Sequence, residues 1–82
     1  MAKKNITTKD LQIARAYTLG VTAFKNGTQR VPHHDAELNK FFIGRDIGET
    51  PKGEASSMAI MTTWLRAWDN ANLANTWDKI NG

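Results

Sequence analysis

Few residues in this chain could do chemistry. His33-His34-Asp35 is the one place where metal-ligand types stand together. A zinc-like site needs three or four convergent nitrogen or sulfur ligands. Adjacent histidines point apart on most backbones, and the sequence has no further His and no Cys. No metal is expected, and the two imidazoles read as loop residues that meet solvent, a helix N-terminus or a partner. A serine nucleophile needs a base within hydrogen-bond reach and an orienting partner for that base. Ser56 and Ser57 instead stand where a helix would open, and they read as caps. Glu49 and Glu54 lie in a Pro- and Gly-containing loop, and Asp69 and Asp78 read as surface charges, so no carboxylate pair is poised for acid–base work. Gly44-Arg45-Asp46-Ile47-Gly48 carries two glycines, but no strand precedes it and no Gly-Lys-Ser or Gly-Lys-Thr step follows, which argues against a phosphate loop. The expectation is a protein that is not an enzyme and has no cofactor.

Binding is the class that remains, and the charges suggest how. The formal net charge is +3, unevenly spread: residues 1–41 hold seven basic and three acidic side chains, residues 42–82 four and five. Lys3, Lys4, Lys9, Arg15, Lys25 and Arg30 are candidate phosphate contacts for an RNA partner, because positive charge gives sequence-independent, salt-sensitive affinity. Tyr17 and Trp77 are the aromatics to check for stacking on unpaired bases. A second candidate surface lies in the 38–53 segment. There a small helical core does not need all of Phe41, Phe42, Ile43 and Ile47, so some would form an exposed apolar patch, and Phe41, Phe42, Arg45 and Ile47 are the candidate protein contacts.

These surfaces need a scaffold, and 82 residues suit one domain with a marginal core. Residues 1–6 read as a flexible basic arm and residues 7–82 as a single helical domain. Thr7 with Asp10 forms a capping-box-like start for a first helix over Thr8 to Lys25, which Asn26-Gly27 would end. Leu11, Ala14, Tyr17, Val21 and Phe24 trace its apolar stripe. Ala16, Gly20, Ala23 and Gly27 trace a second stripe of small residues, whose simplest use is close approach of another helix or of an indole ring. Thr28 to His34 is a connection in which Pro32 keeps Val31 out of helical geometry. A second helix is expected from Asp35 to Arg45, then a loop in which Thr50-Pro51-Lys52-Gly53 suits a type I turn. The third helix opens at Ser56 or Ser57 and runs to Leu73 or Ala74. Met61, Trp64, Leu65, Trp68 and Ala71 form its stripe, and the tail from Asn75 adds a turn, with Trp77 and Ile80 folding back onto the core, or else frays. No segment has strand periodicity. The architecture expected is all-α: a small three-helix domain with the first and third helices packed together, and with Trp64 and Trp68 locked against the small stripe.

Ala16-Tyr17-Thr18-Leu19-Gly20-Val21-Thr22-Ala23-Phe24-Lys25-Asn26-Gly27, then Pro32, then Trp64-Leu65-Arg66-Ala67-Trp68-Asp69-Asn70-Ala71 resembles the ribosome modulation factor family. Gly20, Ala23, Gly27, Pro32, Trp64, Leu65 and Trp68 carry the resemblance. Ala67 stands where that family has glycine, and residues 35–60 form an added segment with its own helix. The resemblance implies a small cytosolic regulator that binds the ribosome near small-subunit RNA and helps to hibernate it. The alternative is a phage- or mobile-element-encoded module that inhibits a host protein complex through residues 38–53.

Partners on these readings are the ribosome or RNA, a host protein complex, or a second copy of the chain. A membrane is not among them, because no apolar run reaches the length of a span. Met1-Ala2-Lys3-Lys4-Asn5 leads into polar Thr7-Thr8-Lys9-Asp10 rather than an apolar segment, so a cytoplasmic location is expected. If the basic first half binds RNA, co-sedimentation with ribosomes should fall steeply between about 50 and about 200 mM salt. No binding even at the lower salt would rule that interface out.

Overall fold

A computed structural model describes residues 5–45 and 49–81. Helix α1 spans Thr8–Lys25, and its start is the capping box expected from the sequence. The Asp10 amide donates to Thr7 Oγ1 at 3.1 Å, and the Thr7 amide donates to Asp10 Oδ2 at 3.2 Å. At the other end Gly27 takes φ +76°, and the amides of Gly27 and Thr28 bond back to the carbonyls of Phe24 and Ala23. That is a Schellman stop, which glycine permits because it has no Cβ.

Helix α3 spans Ser57–Asn81 and packs on α1 as the principal pair of the fold. Ser56 opens it, its Oγ accepting the Ala59 amide at 3.0 Å. Gln12 reaches Ala55, Gly20 abuts Trp64 and Ala67, and Phe24 meets Trp68. Contacts therefore advance in the same order along both helices, which run in the same sense. A chain leaving the end of α1 must return about 27 Å, the length of an 18-residue helix, before α3 can start. Residues 26–56 make that return.

The crossover holds only short helical pieces. A 3₁₀ turn over Pro32–His34 leads to helix α2, Ala36–Asn39, and a further 3₁₀ turn, Lys40–Phe42. Asp35 caps α2 as expected, its Oδ1 accepting the amides of Glu37 and Leu38. The expected helix to Arg45 is cut short: Ile43 is already extended and Gly44 takes φ +82°. The type I turn at Thr50–Gly53 is displaced by one residue. Pro51 Cα opens the turn instead, its carbonyl accepting the Glu54 amide, and Gly53 at φ +82° occupies the third position, as a type II turn requires.

The core differs from the expected stripes. On α1 the buried residues are Ala16, Leu19, Gly20 and Ala23, while Leu11 and Tyr17 are exposed. The small stripe is thus the packing face, and the larger stripe flanks it. On α3 the buried line is Ile60, Trp64 and Ala67, with Met61, Leu65, Trp68 and Ala71 only half-buried beside it. Leu38 and Ala55 complete the core from the crossover, and Ile13, Phe41 and Phe42 pack around it. Gly20 explains the choice of face: a Cβ there would stand 2.3 Å from the Trp64 carbonyl oxygen and 2.8 Å from Ala67 Cβ. The two backbones are as close as glycine permits.

The two large indoles are each tied by a hydrogen bond. Trp64, fully buried, donates Nε1–H to Asp35 Oδ2 at 2.8 Å, so Asp35 serves the α2 cap and the core together. Trp68 donates to the Thr28 carbonyl at 3.0 Å and meets Phe24 edge-on at 5.2 Å. Of the alternatives for the tail, the added helix is the one seen, without the fold-back of Trp77 and Ile80 onto the core. The helix continues to Asn81 with every residue from 72 to 81 exposed.

In an open helix, Gly20→Ala would stabilise by about 1 kcal/mol. Here it should destabilise by roughly 1–3 kcal/mol, because the new methyl meets backbone that cannot step aside. Chemical denaturation followed by helical circular dichroism checks this, and a gain in stability would contradict the close crossing.

Candidate binding surface

The four candidate RNA contacts among the described residues do not form one face. Lys3 and Lys4 lie outside the described residues. Lys9 and Lys25 are exposed on α1, but at about 100° per residue they point roughly 160° apart. Arg15 lies 3.9 Å from Glu37, which also takes Lys40 at 3.1 Å. Arg30 is engaged on both edges: Nε donates to Asp69 Oδ1 at 2.6 Å and Nη2 to Oδ2 at 2.7 Å. This fork, led by the hydrogen bond itself, holds the Asp69 carboxyl below its ordinary value and raises the Arg30 guanidinium above its own. It ties the start of the crossover to α3.

The 38–53 candidates are mostly structural. Phe41 and Phe42 are half-buried against the core. Ile47 lies outside the described residues, and Ile43 is the exposed apolar residue of this segment. The Arg45 side chain is only 4% exposed. Its Nη1 donates to the Ala55 carbonyl at 2.9 Å and Ser57 Oγ at 3.1 Å, and its Nη2 to Glu54 Oε1 at 3.2 Å. Gln12 completes the cluster, giving Nε2–H to Glu54 Oε1 at 2.7 Å and accepting the Ala55 amide at 2.8 Å. The Glu54 carboxyl is held below its usual range first by the Gln12 bond, against partial burial, and then by Arg45. Gln12 carried no signal in the sequence, since a polar residue on a helix flank reads as solvent-facing until the partner segment is placed.

Three exposed apolar side chains share one face of α3. Leu73, Trp77 and Ile80 are 68%, 64% and 74% exposed. They stand at i, i+4 and i+7, the spacing of one helix face. Beside them the diverging ends of α1 and α3 leave an open groove of about 410 Å³, with Tyr17, Val21 and Phe24 on one wall and Ala71 and Ala74 on the other. Asn70 bridges its floor by donating to Tyr17 Oη at 3.2 Å. Lys25 and Asp78 stand at its rim, one on each helix. Tyr17 and Trp77, the aromatics singled out from sequence, are both exposed here. Among the described residues no group of His, Asp and Glu could hold a metal ion, and no helix is long and apolar enough to cross a membrane.

No family model, curated protein or solved structure matches this chain. The likeness to ribosome modulation factor therefore rests on the quoted residues. In the structure these serve chiefly the fold: Gly20, Trp64 and Trp68 at the crossing and Gly27 at the helix stop. A shared packing pattern carries a scaffold more readily than an activity.

The sign of the Glu54 shift sets a pH dependence. A carboxyl lowered on folding stabilises the protein above its unfolded value of 4.5, and that contribution is lost as pH falls through the lower folded value. Glu54→Gln should therefore lose less thermal stability than the parent between about pH 5 and about pH 3. Parallel melting curves for the two proteins across that range would contradict the role of Glu54.

Proposed function

We propose that this protein is a small, non-enzymatic regulatory module that acts by protein contact through the outer half of α3. The observation that carries the reading is the exposed Leu73–Trp77–Ile80 face at the end of a helix whose first half supplies Ile60, Trp64 and Ala67 to the core. Apolar anchors at i, i+4 and i+7 are what a helix offers to an apolar groove on another protein. Indole is also the side chain most often found at the energetic centre of such contacts. This moves the protein-binding surface from residues 38–53 to residues 70–81, where large side chains are free of structural duty. Inhibition of a host complex by occupying one of its surfaces fits such a module.

An RNA or ribosome contact is the second reading. It is favoured by the exposed Lys9 and Lys25 and by the exposed aromatics Tyr17, which lines the same groove as Lys25, and Trp77. Against it, Asp78 shares the groove, and Arg30 is already neutralised by Asp69. Affinity purification from the encoding cell, with both protein and RNA identified, separates the two readings. The expected result is a defined protein partner recovered by the parent chain and lost with Trp77→Asp, while helical content is unchanged. Recovery of RNA or ribosomes alone would contradict the protein-contact reading.

A further inference from the structure

The molecule is open for its size. Its radius of gyration is 14.6 Å, against about 12 Å for a compact chain of 82 residues. Its accessible surface is 6177 Å², against about 4,900 Å² for a monomer of this mass. It measures 45 × 40 × 16 Å, so its thinnest dimension is scarcely more than one helix with its side chains. The outer half of α3, exposed at every residue from 72 to 81, is a principal contributor to this surface.

From these observations we infer that the outer half of α3 and the groove beside it form a two-fold interface with a second copy of this chain. A two-fold interface uses the same patch on both copies, so the patch must be complementary to itself. This one is. It carries a projecting apolar ridge, Leu73, Trp77 and Ile80, and directly alongside it an apolar groove of about 410 Å³ into which such a ridge fits. It also carries both signs of charge at the groove rim, Lys25 on α1 and Asp78 on α3. Under a two-fold axis, Lys25 of each copy faces Asp78 of the other, and the two pairs form together. A phosphate backbone would instead meet Asp78 with like charge.

The area suffices. The exposed parts of Leu73, Trp77, Ile80 and Tyr17 amount to on the order of 500 Å² per copy. Pairing two copies would cover about 1,000 Å² of apolar side chain before the polar rim is counted, which reaches the size of a specific interface. The inference rests on the reading of α3 as a protein-contact surface and names a second copy as its occupant, with which any other protein bound through Trp77 must compete.

Sedimentation equilibrium of the full chain across about 1 to 200 µM tests it. The expected result is a reversible dimer of twice the 9.2 kDa chain mass. Trp77→Glu and, separately, Leu73→Gln should weaken association at least about tenfold, with circular dichroism unchanged. Lys25→Asp and Asp78→Lys should each weaken it, and the double swap should restore it, which a merely sticky apolar patch would not do. A monomer throughout the range, or a dimer indifferent to all of these changes, overturns the inference. Collisional quenching of the monomer then separates the two levels. Trp77 open to quencher ends the dimer alone, whereas Trp77 shielded within one copy ends the contact-surface reading as well.

Discussion

The closeness of two helix backbones at Gly20 is the constraint on which this structure depends. No Cβ fits between Gly20 and the Trp64 carbonyl, and Ala16, Ala23 and Ala67 line the same crossing. Small side chains bring backbones together but bury little apolar area, so the bulk has to come from elsewhere. Trp64, Leu38 and Ile60 supply it as the largest fully buried side chains. At about 25 cal/mol per Å², an indole that buries about 200 Å² contributes about 5 kcal/mol of transfer free energy. In a core this small, a single residue of that weight decides whether the domain folds. Its polar atom must then be satisfied, and Asp35 does this from the crossover, which fixes α2 over the helix pair.

A same-sense helix pair also determines how the polar residues are used. The chain has to leave one end of α1 and return to the other, and each end of that return is fastened electrostatically. Arg30 and Asp69 fasten the outgoing end. Arg45, Glu54 and Gln12 fasten the incoming one, against the first turn of α3. Exposed ion pairs contribute little singly, but in the incoming cluster the Arg45 side chain is covered, Gln12 and Glu54 are half-buried, and all three are hydrogen-bonded. Charges that look available for a nucleic acid when counted along the sequence are thereby partly spent on holding the crossover. At the far end of α3 three large apolar side chains stay unspent on one helix face.

Much of the fold was legible because its signals are local. The Thr7–Asp10 box, the Gly27 stop, the Asp35 cap and the Ser56 start each involve residues within a turn of one another, and each stands where the sequence puts it. The α1–α3 pairing was legible too, since the small stripe and the tryptophans are the two halves of one contact. The rest of the α1 face was less so: Leu19, buried beside the small stripe, stands on neither stripe, and Leu11 and Tyr17 of the larger stripe are exposed, because hydrophobic periodicity favours the larger side chains. At this crossing, clearance outweighs hydrophobicity. The candidate site was legible only in Tyr17 and Trp77. Arg45 reads as a surface cation until the segment ten residues later closes over it. The length of α3 was hidden by Asn70, Asn72, Asn75 and Thr76, poor helix formers that resemble a fraying end although none of them breaks a helix.

The three tryptophans offer a direct test, since they occupy the three environments that the account distinguishes. Solvent exchange of their indole N–H protons, measured by nuclear magnetic resonance at a dilution where copies do not associate, reports on all three at once. The account predicts slow exchange for Trp64, bonded to Asp35 in the core, faster exchange for the half-buried Trp68, and free exchange for Trp77. Exchange at Trp64 as fast as at Trp77 would contradict the buried crossing from which the rest of the structure is built.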